Sequence, residues 1–119
     1  MLSDEDYRTM AAVRAELRGF AHFTQRIVGQ VGLTPQQHQI LVALRGAEGL
    51  ELTIGQLAET MYLKPHSVTG LADRLEAAGL VRRVRSEEDR RSTALQLTTK
   101  AEALLASLSE THRNELRRI

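Results

Sequence analysis

The 119-residue chain has no cysteine and no tryptophan, and only two prolines, two phenylalanines and two tyrosines. Without cysteine there can be no disulfide, no zinc–thiolate centre and no thiol redox switch. Aromatic rings are too few for a platform on which single-stranded bases stack. No apolar run is long enough to cross a bilayer. Met1 to Tyr7 has the acidic make-up of a helix start rather than the charged-then-apolar order of a signal peptide. No glycine-rich phosphate loop, nucleophile motif or metal-ligand spacing occurs, so the chain is not expected to be an enzyme or to hold a cofactor. A soluble, cytoplasmic protein is expected.

What is present is ordinary in amount: 42% apolar and 26% charged residues, the make-up of a globular domain, in a length that suits one domain. The net charge is only +1, but it is unevenly spread. Residues 1–59 carry five Arg against seven acids, residues 60–100 carry eight Lys and Arg against five acids, and residues 101–119 balance. The basic excess therefore occupies one continuous block.

Apolar residues at Met10, Val13, Leu17, Phe20, Ala21, Ile27 and Val28 recur at helical spacing, and predict a first helix from about Asp4 to Val28. Ser3 can cap it, and Asp4, Glu5 and Asp6 suit the positive end of its dipole. Roughly 25 residues at 1.5 Å each make ~37 Å of helix, too long for the short elements that follow to cover. Thr34-Pro35-Gln36-Gln37 opens a second helix, with Ile40, Leu41 and Leu44 inward. Leu50 to Thr53 reads as a short extended stub. Thr53 to Gln56 repeats the capping-box spacing before a helix of about eight residues. After the tight connection Tyr62-Leu63-Lys64, Pro65 opens another, with Val68, Leu71, Ala72 and Leu75 inward and Gly79 as its stop. Two helices joined so closely form a helix-turn-helix.

After Gly79 the period changes. Leu80 to Arg85 predicts a strand, Ser86 to Asp89 a polar turn, and Thr93, Leu95 and Leu97 the buried face of a second strand. The hairpin carries Arg82, Arg83, Arg85, Arg90 and Arg91. Thr99 and Glu102 are placed to cap a last helix, with Ala101, Leu104, Leu105 and Leu108 inward. The fold class is α+β, mostly helical: a winged helix-turn-helix with long N-terminal and C-terminal helices.

The helix from Pro65 presents His66, Ser67, Thr69, Gly70, Asp73 and Arg74 on the side away from its apolar face. Short polar side chains and a glycine let a backbone approach a DNA groove, and Arg is the commonest reader of guanine. Asp73 would repel phosphate unless Arg74 or a hairpin arginine neutralises it. Hairpin arginines suit a narrow minor groove, and Asp89 is expected to orient one of them through a charge-assisted hydrogen bond. A solvated surface with internal ion pairs is the plainer reading of the same charges.

Leu71-Ala72-Asp73-Arg74-Leu75-Glu76, followed by Gly79-Leu80-Val81-Arg82-Arg83, Glu88-Asp89-Arg90-Arg91 and Leu95-Gln96-Leu97-Thr98, resembles the MarR family of bacterial and archaeal transcription regulators. Asp89-Arg90-Arg91 matches its wing motif, and the likeness covers nearly the whole chain. The resemblance implies a homodimer on a palindromic DNA operator, usually repressing, and often released by a small anionic or phenolic effector. It implies a single winged-helix domain over 1–119, with dimerisation helices at 1–30 and 98–119, a DNA-binding core at 34–97 and a wing at about 80–97. Family members usually carry further helix beyond this point. The expected DNA contacts are Lys64, His66, Ser67, Thr69, Gly70, Arg74, Arg83, Arg85, Asp89, Arg90 and Arg91. The first helix is then expected to form a dimer seam.

Of four histidines, His66 opens the helix facing DNA, and His112 falls on the stripe of Leu104, Leu105 and Leu108, where packing is the ordinary role. His22 lies on the first helix beside Phe20 and Phe23. Phe20, Phe23 and His38 are candidates for an effector pocket, against core packing as the plainer role of both rings. Scattered histidines make a zinc sensor a poor fit. The rival to DNA binding is a winged helix used for protein contact, which would show large apolar residues on the Pro65–Arg74 surface.

Overall fold

Side-chain hydroxyls set where three helices begin. In a computed structural model, which describes residues 1–86, 89 and 91–118, Ser3 Oγ accepts from the Asp6 N–H at 3.1 Å, and the Asp6 carboxylate accepts from the Ser3 N–H at 2.9 Å. This capping box starts α1 (Asp4–Gly29), and its hydrogen bonds hold the Asp6 carboxyl below the usual carboxylate range. Thr53 and Gln56 close the same box at 3.0 and 2.8 Å, ahead of α3 (Ile54–Met61). The last helix, α5 (Thr99–Leu116), is closed one residue earlier than the sequence suggests. Thr98, not Thr99, accepts from the Ala101 N–H at 3.2 Å, because its hydroxyl also donates to the Gly79 carbonyl at 2.7 Å and is fixed from both sides.

The chain divides into two compact units, Met1–Pro35 with Leu108–Ile119, and Gln36–Ser107. In the first, α1 leaves Tyr7, Met10, Val13 and Leu17 exposed in one row at helical spacing, Val13 and Leu17 by more than half of their surface (52% and 59%). Phe23 is half-buried and meets the His112 ring edge-on, with centroids 6.4 Å apart and planes at 87°. His112 Nδ1 also lies 3.1 Å from the Leu108 carbonyl oxygen. The histidine on the apolar stripe is thus a packing residue, as its position suggests.

The second unit carries the rest of α2 (Pro35–Gly46), then a short turn, β1 (Glu51–Thr53), α3, α4 (Pro65–Ala77), β2 (Val81–Arg85) and β3 (Thr93–Leu97). Its core is Ile40, Leu41, Leu44, Leu57, Val68, Leu75 and Leu95, each fully buried. Such side chains contribute about 1.5–3 kcal/mol apiece. The sheet is antiparallel in the order β1-β3-β2. The stub before α3 is therefore a sheet strand, a pairing that its own residues do not reveal.

Register places Arg82, Gln96 and Glu51 in one row across the three strands. Arg82 Nε donates to Gln96 Oε1 at 3.1 Å, and Gln96 Nε2 donates to Glu51 Oε1 at 3.4 Å. Two sequence expectations for β3 change here. Thr93 is exposed and Ala94 buried, so the buried set is not a simple alternation. The reason is position: β3 is the middle strand, and neighbours on both sides close over a residue as small as alanine.

Replacing Thr98 with Ala removes both bonds of the hydroxyl and should lower stability by about 1–2 kcal/mol, with Thr98→Ser keeping most of it. Urea unfolding followed by circular dichroism checks this.

Candidate nucleic-acid interface

The candidate surface centres on α4. Val68, Leu71, Ala72 and Leu75 are buried, which turns His66, Thr69, Asp73 and Arg74 outward and leaves Ser67 and Gly70 half-buried at the edge. Lys64 stands at the start of the helix, exposed, with no capping bond from its side chain. Thr69 Oγ1 donates to the Pro65 carbonyl one turn back, at 3.1 Å. A Cβ on Gly70 would meet nothing within 4 Å, so the protomer itself does not require glycine there. Among the described residues, α4 shows no large apolar side chain on its outer face.

The wing is β2, β3 and the turn between them. Ser86 N–H donates to the Ser92 carbonyl at 3.0 Å, and Ser92 N–H to the Asp89 carbonyl at 2.9 Å. Asp89 was expected to aim an arginine side chain. Among the described residues its carboxylate holds the turn, accepting from the Arg91 backbone N–H at 3.0 Å and from the Ser92 hydroxyl at 3.1 Å. A carboxylate two residues from an N–H reaches backbone more readily than a long guanidinium, as in any Asx turn. Arg90 lies outside the described residues. Arg85 and Arg91 are exposed, and among the described residues their guanidinium groups have no protein partner. Together with Arg83, Val84, Ser92 and Thr93 they line an open hollow on the wing.

Arg83 ties the two parts together. It leaves β2 on the face that meets α4, and its fork reaches Asp73 Oδ1 at 2.5 Å and Glu76 Oε1 at 2.6 Å. Its second amino group also lies 3.4 Å from the Thr69 carbonyl oxygen. The Asp73 hydrogen bond is the main reason that the Arg83 pKa is raised, with burial opposing and Glu76 assisting. The need for a wing arginine beside Asp73 is met, and Arg83 is the one that meets it. Its donors are turned to protein carboxylates rather than to solvent. Glu76 as the second acceptor was missed, although its place three residues after Asp73 puts both on one helix face.

The sequence reading also missed Tyr62, the left-handed residue that closes α3 (φ 56°, ψ 40°) and, among the described residues, the most exposed large hydrophobic side chain after Met1. Of the residues suggested for an effector pocket, Phe20 and Phe23 are half-buried in the first unit, and His38 is buried in the second. Among the described residues no three His, Asp or Glu side chains gather as metal ligands, and no helix is long and apolar enough to cross a membrane.

A helix-turn-helix flanked by a two-stranded wing, itself part of a three-stranded sheet, defines the class: a winged helix-turn-helix protein. A MarR family model matches residues 31–92. The uncharacterized HTH-type transcriptional regulator YfiV of Bacillus subtilis is 43% identical over 67 residues, 56% of this chain and 42% of that protein. The HTH-type transcriptional repressor MdtR of the same organism is 40% identical over the same shares. Among solved structures, AbsC of Streptomyces coelicolor, a MarR family transcriptional regulator, superposes with a TM-score of 0.80 at 26% identity, over 99% of this chain and 80% of that one. BldR of Sulfolobus solfataricus does so with 0.75 at 28% identity, over 99% and 84%. The chain spans about half the length of the curated relatives it matches. It belongs to the MarR family, whose members are transcription regulators and not enzymes.

Arg83→Ala should lower stability by about 1 kcal/mol, since these are partly exposed pairs. Arg83→Lys should recover little of it, because one ammonium cannot fork to two carboxylates. The urea midpoints of the three proteins check this.

Proposed function

We propose that the protein is a repressor that binds a palindromic DNA operator as a homodimer and is released by a small anionic or phenolic effector. Family membership supports the regulator, and the name of MdtR the repressing direction. The observation that carries DNA binding is the tie from Arg83 to Asp73 and Glu76, the only acids on α4, which together with Arg74 balances their charge and docks the arginine-bearing wing to that helix. In this reading Lys64 and the start of α4 meet phosphate, and His66, Ser67, Thr69 and Arg74 face base edges. Gly70 allows close approach. Arg85, Arg90 and Arg91 serve the minor groove, Asp89 shapes the turn that presents them, and Arg83 acts as a strut.

Residues 34–97 form the DNA-reading part, and 1–30 with 98–119 the dimerisation part. The exposed row Tyr7, Met10, Val13 and Leu17 supports that division, since an apolar stripe of this kind is normally covered. A dyad would set two copies of α4 about one DNA turn apart, on the order of 34 Å. The rival, a protein-docking winged helix, is disfavoured by the polar outer face of α4.

Selection of bound duplexes from a random pool tests the reading, and should return an inverted repeat. On the selected duplex, Arg85→Ala with Arg91→Ala should reduce the slope of log affinity against log salt by about 2, and an unchanged slope would remove the wing from the interface. Sedimentation at micromolar concentration should show a dimer that Val13→Glu with Leu17→Glu converts to monomer. A monomeric parent protein would reject the seam.

A further inference from the structure

Three helices of this chain end in one hydrogen-bonding pattern with one exception in its chemistry. After α1, Gly32 N–H donates to the Gly29 carbonyl and Leu33 N–H to Val28. After α3, Tyr62 donates to Glu59 and Leu63 to Ala58. After α4, Gly79 donates to Glu76 and Leu80 to Leu75. The pattern requires a left-handed residue, and glycine supplies it twice, at φ 80° and 77°. At the third position stands a tyrosine with φ 56°. A Cβ disfavours that conformation, and the ring gains nothing from burial in return, because Tyr62 is 96% exposed. Folding therefore gives no reason for the side chain.

Its place does. Tyr62 lies in the turn between α3 and α4, two residues before Lys64. In a helix-turn-helix the first helix crosses the DNA backbone, and the start of the second enters the major groove. The turn then sits over the sugar–phosphate edge. We propose that Tyr62 is a DNA-backbone contact, its ring lying on deoxyribose and its hydroxyl donating to a phosphate oxygen. Tyrosine is suited to this, with an apolar body, a polar tip and few rotatable bonds. Such a contact adds affinity without reading sequence. The inference rests on the DNA-binding reading above.

The test uses the full chain, the selected duplex and an unrelated duplex of equal length. Tyr62→Gly should raise the melting temperature by about 4 °C, yet weaken binding to both duplexes about tenfold. Tyr62→Phe should leave the melting temperature unchanged and weaken both about fivefold. Equal affinity of the glycine variant and the parent overturns the contact. Parent-like affinity of the phenylalanine variant overturns the phosphate bond, and a loss confined to the selected duplex overturns the backbone assignment. If the parent binds neither duplex, the regulator reading itself fails; if it binds and the variants match it, only the role of Tyr62 fails.

Discussion

Burial of Val68, Leu71, Ala72 and Leu75 fixes the rotation of α4 about its axis, and with it which side chains face outward. A helix with four apolar residues on one stripe cannot turn without exposing them, at about 1.5–3 kcal/mol for each large one. The polar outer face is the complement of that stripe. A charge introduced at Leu71 would therefore disturb the outer face as well as the core. The constraint reaches the wing too, because Arg83 finds its two carboxylates only while Asp73 and Glu76 remain on the side of α4 that meets β2.

Electrostatics then decides what that face can bind. Taken alone, α4 bears Asp73, Arg74 and Glu76 and is acidic by one charge. One arginine from β2 balances it, and the rest of the wing adds exposed arginines beyond that. An overall charge of +1 hides this local balance. The polar row of Arg82, Gln96 and Glu51 does similar work on the sheet's other face, where it gives a carboxylate and a guanidinium partners across three strands.

The first unit has the opposite character. Its exposed row on α1 is apolar and its start is acidic, with Asp4, Glu5 and Asp6 in the first turn. Acids there favour the helix dipole and would repel a duplex. The chain thus separates a surface suited to a second apolar surface from one suited to phosphate.

Much of this was legible beforehand. Spacing of apolar residues and capping chemistry placed the start of each α-helix to within a residue, and Thr53 with Gln56 marked the start of α3 by chemistry alone. These are local matters, settled by neighbours three or four positions apart. Pairing of β1 with β3, the partners of Arg83 and the duty of Asp89 were not legible in the same way, because each depends on which of several equivalent groups comes within hydrogen-bonding reach. Sequence shows that five arginines lie on a hairpin; it does not show which one is bound to the neighbouring helix. Nor does it show that Tyr62 takes the left-handed place that glycine takes elsewhere, since a ring in a turn reads the same whether covered or bare. Periodicity and capping thus determined the elements, and packing alone decided which charges were neutralised and which were left to face outward.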